Sequence, residues 1–158
     1  MTDKVITQVS PWFDDREQAL VTECLESGWI TEGPKSAEFT ERLNDMIGVP
    51  YGVFAPNGTL ALVLGLLALE VGPGDEVLVT GATPVFVEVT GDNFQIDLSE
   101  ADGLVTDRTK AIMPVHMFGM CGDMDGVRSF AKRHDLLIIE DAAQTIGVHY
   151  DGVHAGGM

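Results

Sequence analysis

The sequence predicts an α/β fold, with a mostly parallel sheet that carries helices on both of its faces. First, the chain has 158 residues, of which 45% are hydrophobic, which allows one substantial core but not two domains of ordinary size. Second, most of the chain alternates short apolar runs with amphipathic segments, the usual order of strands and helices in such folds. Third, the apolar runs do not alternate with polar residues, as a strand with one solvent-exposed face would. We therefore expect residues 1–158 to form one compact unit or a piece of a larger one.

Two helices are predicted before the first strand. Asp14, followed three residues later by Glu17, has the pattern of a capping box, and the helix that it begins should end at Gly28. Apolar residues at helical spacing predict a second helix over residues 35–47, with Gly48 as its end.

A short strand and a third helix are predicted next. Residues 51–55 (YGVFA) are predicted as the strand, and a tight PNG turn leads from them into a helix over residues 59–70. This helix is apolar on every side, so we expect it to be buried.

The remaining segments alternate between strands and helices. Strands are predicted over residues 76–80, 84–89, 111–116 and 136–141, and helices near residues 97–105 and over residues 123–134. Only residues 81–83 separate the first two of these strands, whereas a parallel crossover needs about a dozen residues or more. Either these two strands form a hairpin, or a crossover helix is missing from this chain.

Composition argues against several classes of partner. The net charge is −16, with 25 acidic residues against 9 Lys and Arg, and this excess of acid argues against nucleic-acid binding. The longest apolar stretch, residues 60–69, is too short for a membrane span, and the N-terminus lacks a secretory pattern. Cys24 and Cys121 lie far apart without metal-ligand spacing. We therefore expect a cytoplasmic protein with reduced thiols, no metal site and no membrane.

Asn57, Gly58 and Thr59 are a candidate anion site at the start of the apolar helix. Free backbone N–H groups and the helix dipole favour a phosphate at such a position, and glycine allows close approach. An ordinary Asn-Gly turn with a Thr cap explains these residues about equally well. The segment is not a GxGxxG fingerprint, which argues against a dinucleotide site.

Glu140 and Asp141 form an unusual acidic end to an apolar strand. A carboxylate that leaves the core there is costly unless it meets a cation, and the protonated pyridine nitrogen of pyridoxal phosphate would be such a partner. Ala142 and Ala143 would leave room for a flat ring, and Gln144 could reach its phenolic oxygen. Alternatively, Asp141 is a helix cap and Glu140 is an edge residue.

Several motifs taken together resemble one known family. They are ESGWITEGP, NGTLAL, LEVGPGDEVLV, PVFVEV, RTKAIMPVHMFG, GDMD and IIEDAAQTIG. In this order and spacing, over about residues 27–157, they resemble the pyridoxal-phosphate-dependent sugar aminotransferases of the DegT/StrS type. The resemblance implies that Asp141 faces the pyridine nitrogen, that Gln144 faces the ring hydroxyl, and that residues 57–59 hold the phosphate.

The resemblance also implies a fold and an activity. The chain would be part of the large domain of a fold type I aminotransferase. Such enzymes bind pyridoxal 5'-phosphate and transfer an amino group, usually from glutamate, to a nucleotide-linked keto-sugar. They work as homodimers with active sites at the interface. His116 matches a position near the cofactor pocket, although a satisfied core histidine is the simpler interpretation. His134, His149 and His154 have no motif around them.

The chain departs from the family pattern in two places. Between the counterparts of Thr80 and Gly81, relatives have a helix and an aromatic residue that covers the pyridine ring, and this chain has neither. After the counterpart of Met158, the family continues to the lysine that forms a Schiff base with the cofactor, and then to a small C-terminal domain. The lysines here are Lys4, Lys35, Lys110 and Lys132, and none follows Asp141. The expectation is a partial cofactor-binding domain with no catalytic lysine and no turnover by itself.

Two other hypotheses stay open at this point. One is a non-catalytic fragment that binds pyridoxal phosphate or a sugar nucleotide, or that forms dimers. The other is an unrelated nucleotide-binding α/β domain, against which the missing glycine fingerprint and P-loop argue.

Overall fold

The computed structural model describes residues 11–29, 31–78, 83–91 and 94–158. The chain divides into two compact units, residues 1–39 and 40–158. The helices are α1 (Asp15–Ser27), α2 (Pro34–Ile47), α3 (Gly58–Ala68), α4 (Leu98–Ala101) and α5 (Met124–His134), with a 3-10 turn at Asp102–Leu104. The strands are β1 (Glu76–Leu78), β2 (Thr83–Val85), β3 (Thr109–Ile112), β4 (Leu137–Ile138), β5 (His149–Tyr150) and β6 (Val153–His154).

Helices α1 and α2 follow their local sequence signals. The Asp14 carboxylate accepts from the Arg16 N–H at 2.8 Å, and the Glu17 carboxylate accepts from the Asp14 N–H at 2.7 Å, so the predicted capping box is confirmed. The helix α1 ends at Gly28, which has a left-handed φ of 70°. The helix α2 ends before Gly48, at φ 83°, as predicted.

The main sheet has four strands in the order β2-β1-β3-β4, and every adjacent pair is parallel. The predicted α/β class is therefore confirmed. Because β1 and β2 pair in parallel, with Glu76 beside Thr83, the hairpin alternative is wrong. Residues 79–82, which join these strands, lie outside the described residues. The predicted strand end at residues 79–80 lies there too.

Helices α3 and α5 pack on opposite faces of this sheet. Successive residues of a strand point to opposite faces. Leu78 of β1 and Ile112 of β3 belong to one core cluster, together with Met124, Val127 and Phe130 of α5. Their sequence neighbours Val77 and Ala111 belong to a second cluster, together with Met113 and with Leu66 of α3. Both clusters lie within residues 40–158.

The prediction that the apolar helix is buried on every side is wrong. Leu66 of α3 is buried, and Leu62 is partly buried against the sheet. The outer side of α3 is exposed; it comprises Leu60 (42%), Val63 (40%), Leu64 (43%) and Leu67 (62%). A helix that lies on a sheet buries one stripe, so a second apolar stripe needs a second neighbour.

The strand predicted over residues 51–55 is also wrong. These residues have no regular secondary structure, and Tyr51 and Val53 are more than four-fifths exposed. Aromatic and β-branched residues favour strands only when a neighbouring strand pairs with them. The strand predicted over residues 84–89 is shorter than expected, since Val89 makes only an isolated antiparallel bridge to Ile96.

A small antiparallel hairpin of β5 and β6 follows the sheet. Its turn is Asp151 and Gly152, both at positive φ (49° and 83°), as a tight two-residue hairpin turn requires. Within the described part of the chain, no helix is both long enough and apolar enough to cross a bilayer.

Candidate functional site

The candidate site lies where β3 and β4 end. Val115 and Asp141 form a parallel bridge just beyond these strands. The Asp141 N–H donates to the Pro114 carbonyl at 3.0 Å, and the His116 N–H donates to the Asp141 carbonyl at 3.0 Å. The carboxyl edge of an open α/β sheet is where such folds bind ligands. The main chain of Asp141 is therefore fixed at a position suited to ligand binding.

One oxygen of the Asp141 carboxylate has no hydrogen-bond donor among the described residues. Its Oδ1 accepts from the Ala143 N–H at 3.2 Å, which is a local turn of the Asx type. Among the described residues, this N–H is the one donor that binds the Asp141 carboxylate. Since turns rather than a helix follow Asp141, the helix-cap alternative is wrong. The second carboxylate oxygen can accept from a cationic ligand.

Gln144 joins the loops that follow β3 and β4. Its Oε1 accepts from the Phe118 N–H at 3.0 Å. Because the oxygen is occupied, the exposed amide group presents its NH2 as a donor. Phe118 has a positive φ of 55°, a conformation that an aromatic residue adopts at some cost. The sequence pattern did not reveal this contact, because its donor is a main-chain N–H.

His116 is fully buried and has a partner at each ring nitrogen. Nδ1 accepts from the Gly122 N–H at 3.3 Å, which assigns the proton of a neutral ring to Nε2. Nε2 then donates to Glu140 Oε2 at 3.2 Å. The interpretation of His116 as a satisfied core histidine is confirmed.

Glu140 is nearly buried, with 6% of its side chain exposed. Besides the His116 ring, its carboxylate binds the Gly156 N–H at 2.8 Å and the Met158 N–H at 2.6 Å. Burial alone would raise the pKa of this carboxyl, but the hydrogen bonds from His116, Gly156 and Met158 outweigh burial and hold the pKa below its usual value. Glu140 follows β4, an edge strand of the described sheet, and its hydrogen bonds give it a structural role there, as the alternative had it. The sequence pattern missed its role because two of its three donors are main-chain groups.

The Cys121 thiol lies beside the same histidine but is not activated by it. Its Sγ is 3.8 Å from His116 Nε2, the nitrogen already bound to Glu140. Burial, followed by the Glu140 charge, raises the pKa of the thiol. Cys24 and Cys121 are both free thiols, as predicted.

The start of α3, predicted as a candidate anion site, is a capped helix N-terminus. The Asn57 Oδ1 caps the helix by accepting from the Leu60 N–H at 3.0 Å, so Asn57 rather than Thr59 is the cap. The preceding N–H groups, of Gly58 and Thr59, have no acceptor within an α-helix. Both residues are exposed, and no atom outside the adjacent residues and the backbone of α3 lies within 4 Å of the place where a Cβ of Gly58 would be.

The direction of α3 brings its start to the edge where Asp141 lies. The helix ends at Ala68, and a short turn then leads into β1 at Glu76. A helix that precedes a strand and packs on it runs opposite to that strand, so its start points to the carboxyl edge. Gly65 packs near Ile139, with 3.8 Å between a built Cβ and the Ile139 Cγ2. At about 1.5 Å per residue, Thr59 lies roughly 9 Å further along α3 toward that edge.

The lysines of residues 40–158 lie away from this edge. Lys110 is an exposed residue near the start of β3, and Lys132 is an exposed residue in the last turn of α5, which leads into β4. In the N-terminal unit, Lys35 pairs with Glu23 at 3.0 Å. Lys4 lies outside the described residues.

Comparison with known proteins gives a consistent result. A family model described as the DegT/DnrJ/EryC1/StrS aminotransferase family matches residues 11–158. The chain is 40% identical to GDP-perosamine synthase of Caulobacter vibrioides, over 97% of this chain and 45% of that protein. It is 37% identical to UDP-4-amino-4-deoxy-L-arabinose–oxoglutarate aminotransferase of Shewanella sediminis, over 96% of this chain and 43% of that protein.

Solved structures agree with these matches. DesV of S. venezuelae superposes with a TM-score of 0.85 and 36% identity, over 91% of this chain and 43% of that one. NtdA of Bacillus subtilis, with bound cofactor PMP, gives a TM-score of 0.81 and 32% identity, over 98% of this chain and 41% of that one. The chain thus spans less than half the length of each relative.

The alignment with GDP-perosamine synthase is longer than this chain. The match to the first relative extends over 168 residues, more than the 158 residues of this chain. That relative therefore has residues within the matched region with no counterpart in this chain.

Proposed function

The chain belongs to the DegT/DnrJ/EryC1/StrS aminotransferase family, and we propose that it forms the cofactor-binding part of an enzyme that transfers an amino group to a nucleotide-linked keto-sugar. The observation that carries the proposal is that Asp141, three residues before Gln144, keeps one carboxylate oxygen for a ligand just beyond the carboxyl edge of a parallel sheet, while Gln144 keeps its amide NH2. The reaction belongs to the biosynthesis of polysaccharides or glycoconjugates.

The residues present fit pyridoxal 5'-phosphate. Its pyridinium N–H needs an acceptor, which Asp141 offers, and its phenolic oxygen needs a donor, which Gln144 offers. Its phosphate needs N–H groups and a positive helix end, which Gly58 and Thr59 offer, with Asn57 capping the same turn. When bound, the cofactor supplies a protonated ring that withdraws electrons from the substrate carbon.

The protein residues hold charge and orient groups in this proposal. An ionised Asp141 beside the ring nitrogen favours the protonated form of that nitrogen. Gln144 presents its NH2 in a fixed direction because Phe118 holds the amide oxygen. Ala142 and Ala143 keep bulky side chains out of the adjacent space.

The proposed substrate class follows from the relatives' names. One names a GDP-linked sugar and the other a UDP-linked sugar, which supports a nucleotide-linked substrate. The second also names oxoglutarate, the keto acid that glutamate becomes when it gives up its amino group. Glutamate is therefore the proposed donor.

A second candidate function is a binding fragment without turnover. Amino transfer needs an amine that can bind the cofactor and move a proton. Lys110 is near the start of β3 and Lys132 is in the last turn of α5, both away from Asp141. The described part of residues 40–158 therefore provides no such amine. We therefore propose that this polypeptide by itself binds the cofactor but does not catalyse transfer.

A homodimer is the proposed assembly. The outer side of α3, defined by Leu60, Val63, Leu64 and Leu67, is an exposed apolar stripe. Contiguous apolar surface of this kind is typical of a surface that a partner covers. A second copy of the chain is the proposed partner, and the mass of the protein in solution tests it.

Equilibrium dialysis of pyridoxal phosphate against the purified chain tests the proposed function. Asp141→Asn should weaken binding at least tenfold, because a neutral amide no longer favours the protonated ring. Asp151→Asn is the matched control, since Asp151 is exposed in the β5–β6 turn. Equal binding by the wild type and Asp141→Asn would rule out the role of Asp141.

Borohydride reduction separates the two candidate functions. We expect no covalent cofactor adduct in the mass spectrum of the reduced wild-type chain, and no amino transfer from glutamate. A reduced adduct on a lysine, together with turnover, would show that the chain is catalytic by itself.

A further inference from the structure

The Glu140 carboxylate connects three segments that are distant in sequence. Its partners are the His116 ring in the loop after β3 and the main chain of Gly156 and Met158 after β6. The acid itself lies beyond the end of β4, directly before Asp141. A single buried side chain therefore fixes the surroundings of the candidate site.

The turn of residues 155–158 is closely packed where Glu140 holds it. Gly156 has a φ of 90°, and a Cβ built on it would lie 3.1 Å from the Ala142 Cβ. A Cβ built on Gly157 would lie 2.7 Å from the Ile47 carbonyl oxygen, at the end of α2. The turn thus lies between the end of α2 and the residue that follows Asp141.

The bonding pattern requires an ionised Glu140. The carboxylate has to accept from three donors, namely one ring N–H and two main-chain N–H groups. A glutamine in its place offers one acceptor oxygen and turns an NH2 toward a donor. His116 cannot compensate through its other ring nitrogen, because Nδ1 already accepts from Gly122.

We propose that Glu140 is a positioning residue, which clamps the turn of residues 155–158 against Ala142 and thereby holds Asp141 in the direction of the cofactor ring nitrogen. The second half of this statement rests on the proposed function, whereas the clamp itself does not. Glu140 acts through its neighbours and does not touch the cofactor.

Amide hydrogen exchange of the cofactor-free chain tests the clamp. In Glu140→Gln, the Gly156 and Met158 amides should exchange at least tenfold faster than in the wild type. The core amides of Phe130 and Ala131 in α5 should change much less. Glu88→Gln is the matched control, because Glu88 is exposed. Unchanged exchange at Gly156 and Met158 in Glu140→Gln would overturn the clamp.

The positioning of Asp141 has a separate, spectroscopic test. In ¹⁵N NMR of ring-labelled pyridoxal phosphate bound to the chain, Glu140→Gln should move the titration midpoint of the ring nitrogen to lower pH by about one unit, a tenfold weaker hold on the proton. A purely structural loss would reduce the amount of bound cofactor without moving this midpoint.

Glu140→Asp distinguishes position from charge. It keeps the negative charge but is one methylene shorter, so it cannot reach both Gly156 and Met158. Positioning predicts that Glu140→Asp titrates like Glu140→Gln, whereas a simple charge effect predicts the wild-type midpoint, which would overturn the positioning role. If the wild type binds no pyridoxal phosphate, the proposed function and the positioning of Asp141 toward it both fail, and the clamp is still decided by the exchange rates.

Discussion

The His116 ring donates to the Glu140 carboxylate at 3.2 Å, in a pair whose side chains are 0% and 6% exposed. The ring keeps this direction because Gly122 fixes its other nitrogen. The main-chain N–H of His116 also binds the Asp141 carbonyl. One histidine therefore orders both members of the acidic pair, and the first predictions concern this arrangement.

Replacement of His116 should destabilise the chain. His116→Phe removes one of the three donors to the Glu140 carboxylate and leaves the Gly122 N–H without its acceptor. A buried polar group that loses its partner costs about 1–3 kcal/mol. Urea denaturation should show a lower free energy of unfolding. His149→Phe is the control, because His149 is exposed in β5. Equal losses in both variants would show that the His116 bonds contribute nothing specific.

Stability should fall in acid through Glu140. The hydrogen-bonded carboxyl has a pKa below its usual value in the folded chain, so its contribution is complete above the unfolded pKa, about 4.3. This contribution is lost as the pH falls from there through the folded pKa, because the folded state then has to take up the proton. Urea midpoints between pH 7 and pH 3 should decline less steeply in Glu140→Gln than in the wild type. Parallel curves would contradict the prediction.

Glu76 supports the fold at the opposite edge of the sheet. Its buried carboxylate accepts from the Thr106 hydroxyl at 2.6 Å and from Arg108 Nε at 2.9 Å. Thr106 and then Arg108 hold the pKa of this carboxyl below its usual value. Glu76→Gln should lower Tm by several degrees, whereas Asp107→Asn, at an exposed position, should not. Affinity for pyridoxal phosphate at a temperature where both variants are folded should be unchanged, and a large loss would place Glu76 in the site.

Local patterns in the sequence were sufficient for the elements that depend on near neighbours. Asp14 and Glu17 predicted the start of α1, and Gly28 and Gly48 predicted two helix ends, because caps are determined within a few residues. The parallel sheet followed from apolar runs without polar alternation.

Contacts between distant segments could not be predicted in the same way. The environment of Glu140 depends on main-chain N–H groups of residues 156 and 158, which every non-proline residue has, so no residue type marks them. The burial of α3 depends on what covers its outer stripe, and residues 51–55 would need a pairing strand. Propensity and periodicity describe the segment but not its neighbours.

The donor role of Gln144 can be separated from its acceptor role by one substitution. Gln144→Glu keeps an oxygen for the Phe118 N–H, which now lies 3.0 Å from Oε1, but it replaces the NH2 by a negatively charged oxygen. If the NH2 binds the phenolic oxygen of pyridoxal phosphate, Gln144→Glu should weaken binding by about tenfold or more, since a bond to a charged group is worth about 1.5–3 kcal/mol. Gln144→Ala loses the donor without adding repulsion, so it should weaken binding less than Gln144→Glu. Gln18→Glu, on an exposed position of α1, is the control for the added charge. Dialysis that gave Gln144→Glu the affinity of the wild type would show that the amide NH2 does not contact the cofactor.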